Sequence, residues 1–301
     1  MLKLNEIDIY SKPEIERIFK AENSGSADYC FGNVYMWNKR FRQEWALSGN
    51  RLIMLLDRRE GRYFAFPVGA GDIKSAIADM EELSSEPELP LRICGVCEEH
   101  KAQLEEAFPG GFVFVEDRDF SDYLYNIDKL ADYPGKELHA KRNFCNRFEA
   151  EHAGSWSFEP LTGERIPDCT ELLRVWNDDA AGDKAEGIEY ERDAIMRAFE
   201  HFDGLGLEGG VLYAEGSPVG FTVGEKISSD CFCVHFEKAH AELAGAYAMV
   251  CREFARMIRE KHPEISYVNR EEDMGLDSLR QSKLSYKPAM ILKKYLASRI
   301  W

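Results

Sequence analysis

The stretch that most restricts how this chain can fold is Cys231–Met257, CFCVHFEKAHAELAGAYAMVCREFARM. Its opening residues alternate small and apolar side chains around one inward glutamate, the period of a strand. A polar turn then runs to Gly245. Beyond it, AYAMVCREFARMIREKH carries Met249, Val250, Phe254 and Met257 at helical spacing, with Arg252, Glu253, Arg256 and Arg259 on other faces. A strand feeding a helix through a glycine turn leaves unpaired N–H groups at the helix start, a cradle for an anion or a carbonyl. An active site in this chain is expected here.

The flanking sequence shows one element order twice. Lys12–Glu22 is expected to be a helix with Pro13 near its start. Strands follow at Glu44–Leu47, Arg51–Asp57 and Tyr63–Phe66, joined by the turns Ser48-Gly49-Asn50 and Glu60-Gly61-Arg62. Then come a helix (Gly71–Ser84), a strand (Leu91–Cys94), a helix (Glu98–Phe108) and a strand (Gly111–Glu116). The second half reads helix (Gly135–His152), strand (Trp156–Glu159), helices (Asp168–Asn177, Tyr190–Phe202) and a hairpin (Gly210–Ala214, Pro218–Lys226). It ends with the central stretch, a strand at Ile265–Val268, a helix at Gly275–Lys283 and a last strand at Tyr286–Tyr295. The expected class is α/β with mixed sheets, in two units, 1–118 and 119–301, with the boundary near Asp117–Asp122.

Charge and cysteine usage exclude several functions. A net charge of −16 repels nucleic acid as a general partner. The charge is uneven: Glu149–Glu208 holds 16 acids against five Lys or Arg, while after Asp277 there are six Lys or Arg and no acid. That basic strip is a local candidate for a phosphate or a tRNA end; the alternative is a basic tail balancing an acidic face. No apolar run is long enough to span a bilayer, and the N-terminus lacks the apolar core of a signal peptide. The eight cysteines are then expected to be reduced thiols in a cytoplasmic protein. Cys94-Gly-Val-Cys97 opens a helix, where the macrodipole favours a thiolate, and His100 is nearby. A single CxxC is weak grounds for a metal, and no metal site is expected. No P-loop, dinucleotide fingerprint or nucleophile elbow is present.

Three segments together, GKELHAKRNFCNRF (135–148), VHFEKAHAELAGAYAMVCREFA (234–255) and VNREEDMGLDSLRQSKLSYKPAMILKKY (268–295), resemble the soluble C-terminal domain of phosphatidylglycerol lysyltransferases and its stand-alone bacterial relatives. The resemblance implies two tandem GNAT-like (acyl-CoA N-acyltransferase-like) domains, related to the Fem-type aminoacyl transferases. It also implies an acyltransferase that moves an amino acid from aminoacyl-tRNA onto an amine or hydroxyl acceptor, a small molecule or a peptide. No transmembrane portion to deliver a lipid is expected in this sequence, in contrast to the lysyltransferases. An acyl-CoA-dependent N-acyltransferase and a degenerate ligand- or partner-binding protein are the alternatives.

The residues bear on that choice. Acyl-CoA-binding GNAT loops resemble Gln/Arg-x-x-Gly-x-Gly/Ala, whereas this chain has Glu242-Leu-Ala-Gly245-Ala-Tyr247. A carboxylate beside a pyrophosphate costs Coulomb energy, so coenzyme A is disfavoured and no cofactor is expected. Aminoacyl transfer needs a base and donors aimed at an oxyanion. Strand alternation places His235 and Glu237 on one face and Lys238 on the other. Glu237 is the candidate base, with His235 beside it; a polar pair satisfied below the loop is the alternative. Asn269, Arg270 and Asp273 follow the next strand, and Asp273 either holds an α-ammonium group or caps the helix near Gly275. Arg280, Lys283 and Lys287 are candidate phosphate contacts, Tyr286 a stacking platform or a core residue, and Arg142 a further contact or a solvated side chain.

Overall fold

The glycine turns of the first half fold back as their residues imply. Glu44–Ser48, Arg51–Arg58 and Gly61–Ala65 form an antiparallel ladder, and Gly49 takes φ 58°, a conformation that costs a residue with a side chain. In this computed structural model, residues 2–58, 60–84, 91–180 and 185–300 are described. Helices Ile73–Leu83 and Glu98–Ala107 carry the chain to strands Arg92–Val96 and Phe112–Glu116. The helix Ile73–Leu83 buries Ala76, Ile77 and Met80, and Asp72 caps it by accepting from the N–H groups of Lys74 and Ser75.

Among the described residues, two seven-stranded mixed sheets result. The first runs Asn5–Glu6, Glu44–Ser48, Arg51–Arg58, Gly61–Ala65, Arg92–Val96, Tyr295–Arg299, Phe112–Glu116. The second runs Met290–Leu292, Asp122–Asn126, Tyr267–Asn269, Cys231–Ala239, Ser217–Lys226, Glu208–Ala214, Trp156–Pro160. The strand expected over Tyr286–Tyr295 is in fact two: Met290–Leu292 closes the edge of the second sheet, and Tyr295–Arg299 inserts into the first, antiparallel to both neighbours. The switch lies at Lys293-Lys294. Lys294 is buried, its Nζ 2.8 Å from Asp122 and 2.9 Å from Asp28, so an ion pair pins the chain where it changes sheets.

Packing unites the two halves. One apolar core runs from Ile15, Phe31 and Phe66 through Leu172, Ile195 and Phe199 to Phe221 and Phe236, joining both sheets. A second lies under the long helix Ala246–Lys261, whose Met249, Val250, Phe254 and Ile258 meet Phe232, Val234 and Val268. Periodicity puts Arg252 on another face of this helix, yet it is buried, because helix His139–Glu151 brings Glu149 to 2.5 Å from it and Glu253 lies at 2.7 Å.

The same helix closes over the glycine turn. Gly245 has φ 94°, and a Cβ there would stand 2.3 Å from the carbonyl oxygen of Phe144. Gly245→Ala therefore combines positive-φ strain with a backbone clash, and is expected to cost roughly 2–4 kcal/mol, at or above the 1–3 typical of one strained position. Denaturant unfolding measures this, and an unchanged midpoint would show that the turn yields freely.

Candidate active site

Two parallel strands at the centre of the second sheet pair only briefly. Cys231–Cys233 matches Tyr267–Asn269, and beyond this short pairing the central strand continues to Ala239 against Ser217–Lys226, without its parallel partner. The carboxyl ends of the pair thus part, which is where ligands enter α/β sheets of this kind. Glu237 and Arg270 face one another across the opening, 2.8 Å apart, with side chains only 10% and 14% exposed. Tyr286 lies beneath the Arg270 guanidinium and the Lys141 ammonium, at 4.5 and 3.7 Å from its ring centre. Below the pair, a cavity of about 10 Å³ between Glu237, Arg270, Cys251 and Phe254 has room for about one water. Burial pushes the Glu237 carboxyl up, against the pull of Arg270, Lys141 and Lys283. A buried carboxylate whose pKa is raised by desolvation, held opposite a fixed cation, suits the role of a proton acceptor.

His235 belongs to the other face, contrary to simple alternation. Val223 pairs with Phe236 and Gly224 with Val234, so His235 is the extra residue of a β-bulge. The bulge turns His235 and Phe236 to the same side and leaves Glu237 on the long-helix side. The His235 ring donates to Glu271 at 2.8 Å through Nδ1 and to Glu225 at 3.1 Å through Nε2, and its side chain is 0% exposed. Burial disfavours the imidazolium, but Cys233, Cys30 and Glu225 together hold its pKa well above the ordinary value.

The model of the phosphatidylglycerol lysyltransferase C-terminal domain matches residues 19–298. The chain belongs to that family. It is similar over its whole length to the crystal structure of a conserved protein of unknown function from Bacteroides thetaiotaomicron VPI-5482, with 35% identity, 100% of both chains covered and a TM-score of 0.92. L-PGS from Bacillus licheniformis superposes with a TM-score of 0.66 at 16% identity, over 98% of this chain and 93% of its own. A tandem GNAT protein from the clavulanic acid biosynthesis pathway does so at 0.51 and 11%, over 99% and 98%. At those identities the likeness is one of fold, and the fold is the tandem GNAT arrangement. An uncharacterised protein of Mycoplasmoides gallisepticum is 27% identical over 184 residues, 60% of this chain; the match spans 56% of that relative's length.

Within this family's fold the remaining sequence candidates fall into separate environments. Lys238 is buried and pairs with Glu191 at 2.8 Å. Asn269 is buried too; its Nδ2 donates to Asp122 and to the Gly25 carbonyl, and its Oδ1 accepts from Glu271 N–H. Asp273 accepts twice from Arg280 and from Arg118, Tyr123 and Gly275 N–H. Lys283 is buried beneath the opening and donates to the carbonyls of Arg270 and Glu272. Tyr286 is 3% exposed, against Tyr125 and Tyr133. Arg142 donates to the carbonyls of Tyr133 and Gly135. Lys287 stands exposed. Tyr247 is half-buried at the first turn of the long helix, and Ala246 N–H at that turn already donates to Leu243.

Arg270 is the partner that the sequence reading passed over as a site residue. The signal was present: it lies two residues beyond Val268, on the face that Val268 shares with the long helix. The macrodipole argument for Cys94 and Cys97 is outweighed by burial, which pushes their thiols up to about 11 and about 12. His100 is occupied elsewhere, stacked on Phe66 at 3.9 Å and bonded to Glu22.

Asp273 supplies a pH-dependent contribution to stability. Burial opposes its ionisation, but Arg280, Tyr123 and the Gly275 N–H outweigh that and hold the carboxyl well below the ordinary 3.8. A depressed folded-state pKa stabilises above the unfolded value and is lost as pH falls through the folded one. Asp273→Asn is expected to flatten the acid side of the stability profile below about pH 4; a profile parallel to that of the unmodified chain would contradict this.

Proposed function

We propose that this acyltransferase-fold protein moves an aminoacyl group from aminoacyl-tRNA to an amine or hydroxyl acceptor, with Glu237 as the base. The observation that carries the reading is the buried Glu237–Arg270 pair at the parting of the central strands. The acceptor X–H loses its proton to Glu237 as X bonds to the ester carbonyl carbon. The tetrahedral oxyanion then collapses, and the ribose oxygen leaves and takes the proton back. Arg270 fixes the carboxylate and, with Lys141, places positive charge where the oxyanion grows.

The closure of the glycine turn supports a donor other than coenzyme A. The Phe144 backbone packs on Gly245 where a GNAT loop would approach pyrophosphate, and Glu242 stands exposed beside it.

The test is transfer of radiolabel from a charged tRNA pool, with phosphatidylglycerol vesicles, free amines or peptides as acceptors. The expected result is label on one acceptor class that depends on the protein. Label that stays on tRNA or passes only to water would contradict the reading.

A further inference from the structure

On the opposite face of the central strand, the bulge gathers a set of side chains that aminoacyl transfer does not use. Cys30 Sγ, a Glu225 carboxylate oxygen and His235 Nε2 lie within 4.8 Å of one another, and all three residues are buried. Cys30 comes from the first half, at the N-cap of helix Phe31–Met36; Glu225 and His235 come from adjacent strands of the second sheet. On the far side of the ring, Nδ1 donates to Glu271 at 2.8 Å, with Cys233 Sγ 3.7 Å away. The carboxylate of Glu225 is packed on Gly32, where any Cβ would stand 2.1 Å from its Oε1.

We propose that Cys30, Glu225 and His235 form a zinc site that clamps the first half of the chain to the second sheet. The donor set of one thiolate, one imidazole and one carboxylate suits a borderline-soft divalent ion, and zinc accepts three such ligands plus one exchangeable ligand. Glu271 then takes the outer position that such sites commonly carry, a carboxylate accepting the N–H of the ligating histidine and fixing its tautomer. On binding, the Cys30 thiol and the Nε2 nitrogen each release one proton to solvent, and their lone pairs go to the ion. A charge of +2 is balanced by the Cys30 thiolate and the Glu225 carboxylate, so the buried cluster gains no net charge. The site stands apart from Glu237, across the sheet, and does not depend on the transfer reading.

The test is metal analysis of the purified, intact chain, followed by Co²⁺ titration of the chelator-treated protein with circular dichroism as the folding control. The expected result is one zinc per chain and a thiolate-to-cobalt charge-transfer band. Cys30→Ser and Glu225→Gln abolish both, while Cys233→Ser retains both. Glu271→Gln keeps the band and weakens Co²⁺ binding roughly 10–100-fold, the usual effect of losing an outer partner. Where Cys30→Ser fails to fold, the nearly isosteric Glu225→Gln carries the test. A folded, unmodified chain with neither zinc nor the cobalt band overturns the proposal. So does a band lost in Cys233→Ser and kept in Cys30→Ser.

Discussion

Glu237→Gln is expected to lower aminoacyl transfer by roughly 10²–10⁴-fold, the range for loss of a positioned base. The substitution keeps an oxygen that can accept from Arg270, and Arg270 also lies over the Tyr286 ring at 4.5 Å, so the guanidinium is not abandoned. The structural cost should therefore stay near the roughly 1–3 kcal/mol of an impaired buried hydrogen bond, and the chain remains folded. Label transfer per folded molecule, with circular dichroism as the control, separates lost chemistry from lost structure. Transfer within twofold of the unmodified protein would remove Glu237 from the mechanism.

Lys294→Met carries the largest expected effect on stability. Asp122 is 0% exposed and accepts from Lys294 at 2.8 Å, Ala27 N–H at 2.9 Å and Asn269 at 3.0 Å. Removing the lysine leaves that carboxylate buried without its cation, a situation that typically costs about 3–5 kcal/mol. The loss falls where the chain leaves one sheet for the other, so Tyr295–Arg299 should detach with it. Its neighbour is the control: Lys293 is exposed and meets Glu116 at 3.2 Å, so Lys293→Met should cost at most about 1 kcal/mol, as for surface ion pairs. Thermal melts that fall equally for the two variants would contradict the role given to the buried Lys294–Asp122 ion pair.

Local period and turn chemistry made most of the architecture legible. Cys231–Ala239 and Ala246–Lys261 appear where alternation, a glycine turn and helical spacing place them, because each buries an apolar face that its own pattern declares. The strand Asp122–Asn126 escaped, although Tyr123 and Tyr125 alternate, because the boundary between the two units is expected at Asp117–Asp122, where it begins. The candidate site was harder to read. Period 2 predicts one face for His235 and Glu237, and a single bulged residue separates them, which only the register with Val223 and Gly224 reveals. The basic strip was legible as composition but not as surface. Lys283 and Lys294 are buried, Arg280 is bound to Asp119 and Asp273, and Arg299 to Glu81, which leaves Lys287 and Lys293 exposed. Sequence charge counts cannot show which cations the fold has already used.

That last point shapes the most direct test of aminoacyl transfer, which is retention of charged against uncharged tRNA at about 150 mM salt, where the Debye length is about 8 Å. Changing Arg280 or Lys283 would damage the fold, so the surface variant to pair with it is Lys136→Glu with Lys287→Glu, both exposed. The account predicts that one charged tRNA is retained over its uncharged form and that the double variant weakens this. Equal retention of both forms, or retention of neither, would contradict it.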